Sequence, residues 1–293
     1  MIISNLLGGL GNQMFQYACG RAMSLRQHTE FKVAIDMFAG YTLHHGYELP
    51  RVFNLTPPLA SRDDLRLLLG WQHSRGVRRV VAKLRWKALA SRAFCFEPHL
   101  DYWPGLAAHG PDAYLHGYFQ SERYFADATT QIRSDFTFST ALAGRNAAVA
   151  ERIVTSNSVS MHLRRGDYVS DKRNAGLFAV CDPDYYRAAM ALLLTKHPEA
   201  SFFVFSDDAT YAHELFGSMG AHVQIVSHNT GEDSHNDMRL MSLCRHHVIA
   251  NSTFSWWGAW LDARPDKLVI APRRWYGGDM QPADLIPSSW VRL

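Results

Sequence analysis

The chain has 293 residues, 47% of them hydrophobic and 19% charged, which excludes a disordered tail and suits one or two domains with their own cores. No run approaches the roughly 18 to 20 apolar residues of a membrane-spanning helix, and the first residues lack the basic and apolar regions of a secretory leader. Four cysteines (Cys19, Cys95, Cys181, Cys244) have neither metal-ligand nor disulfide-framework spacing, so a cytoplasmic chain with reduced thiols is expected.

Residues 2–5 read as a short strand, 6–12 as a glycine-rich turn, 13–28 as a helix and 31–36 as a second strand. In the turn Gly8-Gly9-Leu10-Gly11-Asn12-Gln13, glycine lets the backbone approach a ligand closely, and the helix start favours an anion. As a dinucleotide fingerprint it reads Gly9-x-Gly11-x-x-Met14 with Asp36 as the ribose acid, so methionine stands where a third glycine belongs. Asn12 and Gln13 also put two amides where hydride transfer needs no polar pair.

Residues 57–130 carry proline breaks, a basic segment and an aromatic stretch over 94–103, and read as a helical insertion. The net charge of +3 is concentrated here: residues 61–92 hold nine basic residues against Asp63 and Asp64, making that window +7 and the remainder −4. Val77, Val80, Val81, Leu84 and Ala88 recur at helical spacing, with Arg75, Arg78, Arg79, Lys83 and Arg85 distributed around them. Such a segment is either a helix with one face in the core and one in solvent, or a band that meets a polyanion or an anionic membrane surface. A boundary near 140–157 divides the chain into lobes of residues 1–150 and 151–293, with a cleft between them as the expected ligand site.

The second half alternates strand candidates (158–163, 201–206, 222–226, 247–250, 267–271) with helix-period segments (183–196, 209–219, 234–245, 255–262), the pattern of a wound parallel sheet. Three motifs follow its strands. His162-Leu163-Arg164-Arg165-Gly166-Asp167-Tyr168 offers guanidinium forks matched to phosphate oxygens. Phe205-Ser206-Asp207-Asp208 leaves two carboxylates, one of them expected to cap the next helix, the other to meet a base or Mg²⁺. The stretch from Asn251 to Gly258 sets the hydroxyls of Ser252, Thr253 and Ser255 at a helix start, a cradle for an anion. Trp256, Trp257 and Trp260 suit core packing, with stacking on a sugar or base as the alternative.

Taken together, GGLGNQMFQYA at 8–18, HLRRGDY at 162–168, FSDD at 205–208 and NSTFSWWGAWL at 251–261 resemble the short bacterial α-1,2-fucosyltransferases of glycosyltransferase family 11. The match runs in order over nearly the whole chain. It implies an α/β fold of the GT-B type, with a Rossmann-like C-terminal donor lobe and an acceptor-side N-terminal lobe. It also implies inverting transfer of fucose from GDP-β-L-fucose to the 2-hydroxyl of a terminal galactose in a glycan, without metal or other cofactor.

The resemblance further implies that His162 and Arg164 contact the donor, with Arg164 on the β-phosphate and Arg165 structural. One of Asp207 and Asp208 would read the guanine, and Ser252, Thr253 and Ser255 would contact the pyrophosphate or the sugar. Asn12, beside Gly9 and Gly11, would sit near the leaving group and acceptor. The motif names no general base; Asp167 is the choice, with Asp171, Glu122 and Asp36 as alternatives. His44, His45, Tyr47, Tyr118, Phe119 and Gln120 are acceptor-side candidates. Nucleic acid is not an expected partner, whereas peripheral contact with an anionic inner membrane face is. Two other classes stay open: an NAD-linked nucleotide-sugar oxidoreductase, which rests on Gly9, Gly11 and Asp36, and a non-catalytic glycan-binding module, which leaves two phosphate-type loops unexplained.

Overall fold

The computed structural model describes residues 1–40, 45–84, 90–164, 181–278 and 281–293. Two compact units emerge, Met1–Thr140 with Ala283–Pro287 and Ala141–Pro282 with Ser288–Leu293. The division falls before residue 150 because helix Gly144–Thr155 packs within the second unit, and Ala283–Pro287 returns to the first. Asp284 is fixed there by Arg123 Nη1 at 2.7 Å.

The first unit contains strands β1 (Ile2–Asn5), β2 (Phe31–Ala34), β3 (Phe94–Phe96) and β4 (Ala113–His116), and helices α1 (Leu10–Gln27), α2 (Leu49–Val52), α3 (Arg62–Leu69), α4 (Arg75–Leu84) and α5 (Thr129–Asp135). Its sheet has the order β2-β1-β4-β3 and every pair is parallel. The expectation of a helical insertion over 57–130 is therefore corrected in part: α3 and α4 are there, but so are β3 and β4, and β4 lies beside β1. Runs of three and four residues, mostly buried, show neither the alternation nor the length that marks a strand. Helix α1 lies tightly on β1 and β2 because residue 20 is glycine; an added Cβ would stand 2.0 Å from Ser4 Oγ and 2.6 Å from the Phe31 ring.

The second unit contains α6 (Gly144–Thr155), β5 (Asn157–Leu163), α7 (Pro183–Lys196), β6 (Ala200–Ser206), α8 (Ala209–Phe216), β7 (Val223–Val226), α9 (His235–Leu243), β8 (His246–Val248), α10 (Thr253–Leu261), β9 (Val269–Ala271) and β10 (Val291–Arg292). The strand order β10-β9-β8-β5-β6-β7 is parallel throughout. All five expected strands are present. A sixth, β10, is two residues long, too short to leave a periodic signal. Val159, Met161 and Leu163 of β5 meet Phe202 and Val204 of β6 and Tyr186, Ala189 and Leu193 of α7 in one core. From β5 the chain winds first to β6 and β7 and then back to β8, so the winding reverses between β5 and β8. Ligands of wound parallel sheets bind at the carboxyl edge of such a reversal.

Candidate active site

The order β8-β5-β6 sets the three second-half motifs on adjacent strand ends. His162 and Leu163 stand opposite Phe205 and Ser206, so Arg164 leaves β5 beside Asp207, and Arg164 Nη1 donates to Asp207 Oδ2 at 2.9 Å. With side chains 27% and 25% exposed, this pair is held but still open to solvent. Asp208 does another task, since its Oδ1 accepts from Tyr211 N at 3.0 Å and caps α8. Of the two adjacent carboxylates, one is the cap and the other holds the guanidinium.

His162 is 5% exposed, its ring 5.9 Å from that of Phe254 at the start of α10, and its carbonyl accepts from Tyr186 Oη at 3.1 Å. Burial, reinforced by the Arg164 charge, lowers its pKa to about 4, so the ring is neutral at pH 7. Its Nδ1 is buried without a hydrogen-bond partner among the described residues. An orphaned buried nitrogen costs on the order of 1–3 kcal/mol, a cost that a bound polar ligand would remove.

At α10, Ser252 Oγ accepts from Phe254 N at 3.3 Å as the helix cap, and Thr253 is half-buried. The main-chain N–H groups of this first turn form the positive end of the helix. Ser255 differs from the expectation of a cradle hydroxyl: it is fully buried, and its Oγ lies 3.2 Å from Ser252 O and 3.4 Å from Ala250 O. A hydroxyl one turn into a helix satisfies itself on the preceding carbonyls. Trp256, Trp257 and Trp260 are core residues, at most 3% exposed, with ring centroids 5.0 to 6.2 Å apart, so the stacking alternative falls away. Asn251 is fully buried and its Nδ2 donates to Trp275 O at 3.0 Å.

Ser160 Oγ lies 2.8 Å from His247 Nδ1, and His247 Nε2 lies 3.1 Å from Asp262 Oδ2, the residue types of a hydrolytic triad. Ser160 and His247 are 2% and 0% exposed, so this chain ties β5, β8 and the end of α10 together inside the core. Among the described residues no three His, Cys, Asp or Glu side chains converge as metal ligands.

In the first unit, Asn12 is the third residue of α1, half-buried, and its Oδ1 accepts from Gln120 Nε2 at 2.8 Å. Gln120 follows β4, the neighbour of β1, so this pair also marks a strand reversal. The left-handed residue of the turn is Gly8 (φ +82°), where a Cβ would meet Asn12 Nδ2 at 2.8 Å. Gly9 is the extended N-cap of α1 and Gly11 is buried inside it.

The other amides of this motif are internal ties. Gln13 Nε2 donates to Gly8 O and Gly46 O while its Oε1 accepts from Glu48 N. Gln16 accepts from Leu7 N and donates to Gly117 O. Glu97, which no sequence pattern marks, accepts from Tyr118 N and Phe119 N at 2.7 and 2.8 Å and shapes the loop that carries Gln120. Phe119 is a buried core residue, whereas His45 and Tyr118 are exposed and Tyr47 half-buried. Asp36 follows β2 after Ile35, as expected, but its carboxylate is paired with the buried Arg78. Arg165, Asp167, Asp171 and His44 lie outside the described residues.

The chain is similar in structure to NodZ alpha-1,6-fucosyltransferase soaked with GDP-fucose, with a TM-score of 0.53 and 15% identity over 89% of this chain and 91% of that one. Its two parallel α/β sheets are of the GT-B type. The model of glycosyl transferase family 11 matches residues 101–292. The sequence is 33% identical to an alpha-1,2-colitosyltransferase of Escherichia coli over 100% of this chain and 99% of that protein. It is 24% identical to galactoside alpha-(1,2)-fucosyltransferase 1 of Saimiri boliviensis boliviensis over 90% of this chain and 66% of that protein. The chain belongs to glycosyl transferase family 11.

Proposed function

We propose that this glycosyltransferase is an inverting α-1,2-fucosyltransferase that moves L-fucose from GDP-β-L-fucose to the 2-hydroxyl of a terminal galactose. The observation that carries the reading is the meeting of Arg164, held by Asp207, with the orphaned His162 and the start of α10 on three adjacent strand ends. Cleaving the bond from sugar to GDP puts new negative charge on the β-phosphate as the sugar becomes cationic. Donors fixed in advance on that phosphate stabilise the transition state more than the ground state.

Arg164 supplies the fork, and the first turn of α10 with Ser252 and Thr253 supplies main-chain and hydroxyl donors. Together they offset the pyrophosphate charge in the place of a divalent ion, and the transfer is expected to need none. Asp207 orients Arg164, and guanine recognition by that carboxylate is the second task proposed for it. Asn12 serves the acceptor side, and Asp167 takes the proton of the acceptor hydroxyl.

The relatives support both sugars in name: a galactoside fucosyltransferase, and a fucosyltransferase soaked with GDP-fucose. The colitosyltransferase at 33% identity favours a second reading in which colitose replaces fucose. Supplying both GDP-sugars with a panel of β-galactosides in excess EDTA separates the two. Fucose transfer in EDTA, and a melting temperature raised by GDP but not NAD, is the expected result. Transfer of colitose alone reverses the donor assignment; activity that returns only with Mg²⁺ or Mn²⁺ overturns metal independence; stabilisation by NAD overturns the reaction class.

A further inference from the structure

We propose that the outer faces of α3 and α4 form a docking surface for an anionic lipid bilayer. Leu65 and Leu69 of α3 and Val81 of α4 enter one core with Ile3, Ala34, Phe94 and Tyr114. The two helices therefore cover the same sheet, and their opposite faces look away from it together. On those faces Leu67 is 84% exposed, Val80 50% and Leu84 47%, and in the turn that joins the two helices Trp71 is 63% exposed; these are four of the nine large apolar side chains exposed among the described residues. Val80 and Leu84, four residues apart in α4, form a stripe along that helix, whereas Trp71 lies beyond the end of α3, after Gly70.

Exposed Arg62, Arg66, Arg79 and Lys83 lie on the same two helices, with exposed Asp63 offsetting one of these four charges. Asp64 does not offset them, because it is engaged by Lys32 at 2.8 Å and by the capping box with Ser61. A merely solvated face would turn charges outward and its leucines inward; a polyanion such as nucleic acid would need the cations alone. Cations around a Trp and aliphatic side chains match the headgroup and acyl boundary of an anionic membrane.

Only part of the basic segment serves this surface. Arg78 is fully buried, pairs with Asp36 and stands 5.4 Å from the Tyr114 ring centroid, while Arg75 donates to Ala39 O. The apolar face expected from spacing is thus rotated: Arg78 takes a core position, and Val80 and Leu84 are displaced outward. No described helix is long and apolar enough to cross a membrane, so contact of this kind would be peripheral.

The inference is independent of the donor and acceptor sugars. It is tested by flotation of the full chain with phosphatidylcholine vesicles, with and without phosphatidylglycerol, at low and high salt. Wild-type protein should float only with the anionic vesicles and detach at high salt. The triple variant Arg66→Glu, Arg79→Glu, Lys83→Glu should lose at least on the order of 100-fold in partition. The double variant Leu67→Ser, Trp71→Ser should lose roughly tenfold or more, and both should keep the wild-type melting temperature. Wild-type protein that ignores anionic vesicles overturns the proposal, as does equal binding by the charge-reversed chain. Binding that survives the apolar double variant overturns it in favour of polyanion attraction alone.

Discussion

Arg164 and Asp207 come from different motifs, and their pairing at 2.9 Å follows from strand register rather than from either motif alone. A guanidinium held this way spends little orientation freedom when a phosphate arrives, which is how a positioned charge contributes to rate. Replacing Arg164 by Ala should lower turnover by roughly 10² to 10⁴-fold, the range for losing one fixed electrostatic donor, and should also weaken GDP. Lysine should rescue poorly, because a point charge has no bidentate fork. Asp207→Asn should give a smaller loss, weighted toward turnover, since the fork remains but is less firmly held. Calorimetry with GDP beside transfer rates decides it: near wild-type turnover in Arg164→Ala removes this residue from the phosphate.

At the scale of elements, the loop after β7 is tied to the starts of two helices. Asn229 exchanges side-chain hydrogen bonds with Asn146 of α6 at 2.8 and 2.9 Å, and its Nδ2 donates to Asp237 Oδ1 of α9 at 2.7 Å. His228 Nε2 also lies 2.8 Å from Asn146 Oδ1. Burial raises the Asp237 carboxyl from 3.8 to about 7, with the Asn229 bond opposing. Between these values the folded chain holds a proton that the unfolded chain has released, so this group's stabilisation is present at low pH and is lost as pH rises through about 7.

Asn at position 237 keeps the acceptor oxygen and has no proton to release. Asp237→Asn should therefore gain stability relative to wild type between acid and alkaline pH, by up to roughly 4 kcal/mol. Urea unfolding at pH about 5 and about 8, below and above the raised value, checks this, and an unchanged difference between the two would remove the buried proton. Neither this network nor the clamps by Gln13, Gln16 and Glu97 was legible in sequence, because the partners are set side by side only by the fold. Five of the six strands of the second unit were legible because they are largely apolar runs set off by helix-period segments; β10, two residues long, was not. In the first unit, β3 and β4 were hidden in three and four residues among prolines. Among candidate site residues, Arg164 and Asp207 meet directly, Ser252 caps the helix that follows the neighbouring strand β8, and the hydroxyl of Ser255 turns back on its own helix.

For the whole molecule, the two units repeat one principle with different contents. The first carries amides at its strand reversal, Asn12 with Gln120; the second carries a guanidinium, a neutral imidazole and a helix start. Amides suit the hydroxyls of a sugar, whereas the charged set suits a pyrophosphate. If that division of labour holds, GDP alone should act on the second unit. A ligand that binds only the closed form of a site slows its opening by mass action, about 2.7 kcal/mol at a hundredfold excess over Kd, and the effect is local where units have separate cores. Hydrogen exchange with saturating GDP should therefore slow the amides at the carboxyl ends of β5, β6 and β8 and in the first turn of α10. Residues 6–12 and 117–120 should exchange as before. Protection confined to those two loops would move the nucleotide to the first unit and overturn the assignment of the donor to Arg164, whereas protection at the second-unit strand ends would leave the amide pair for the acceptor.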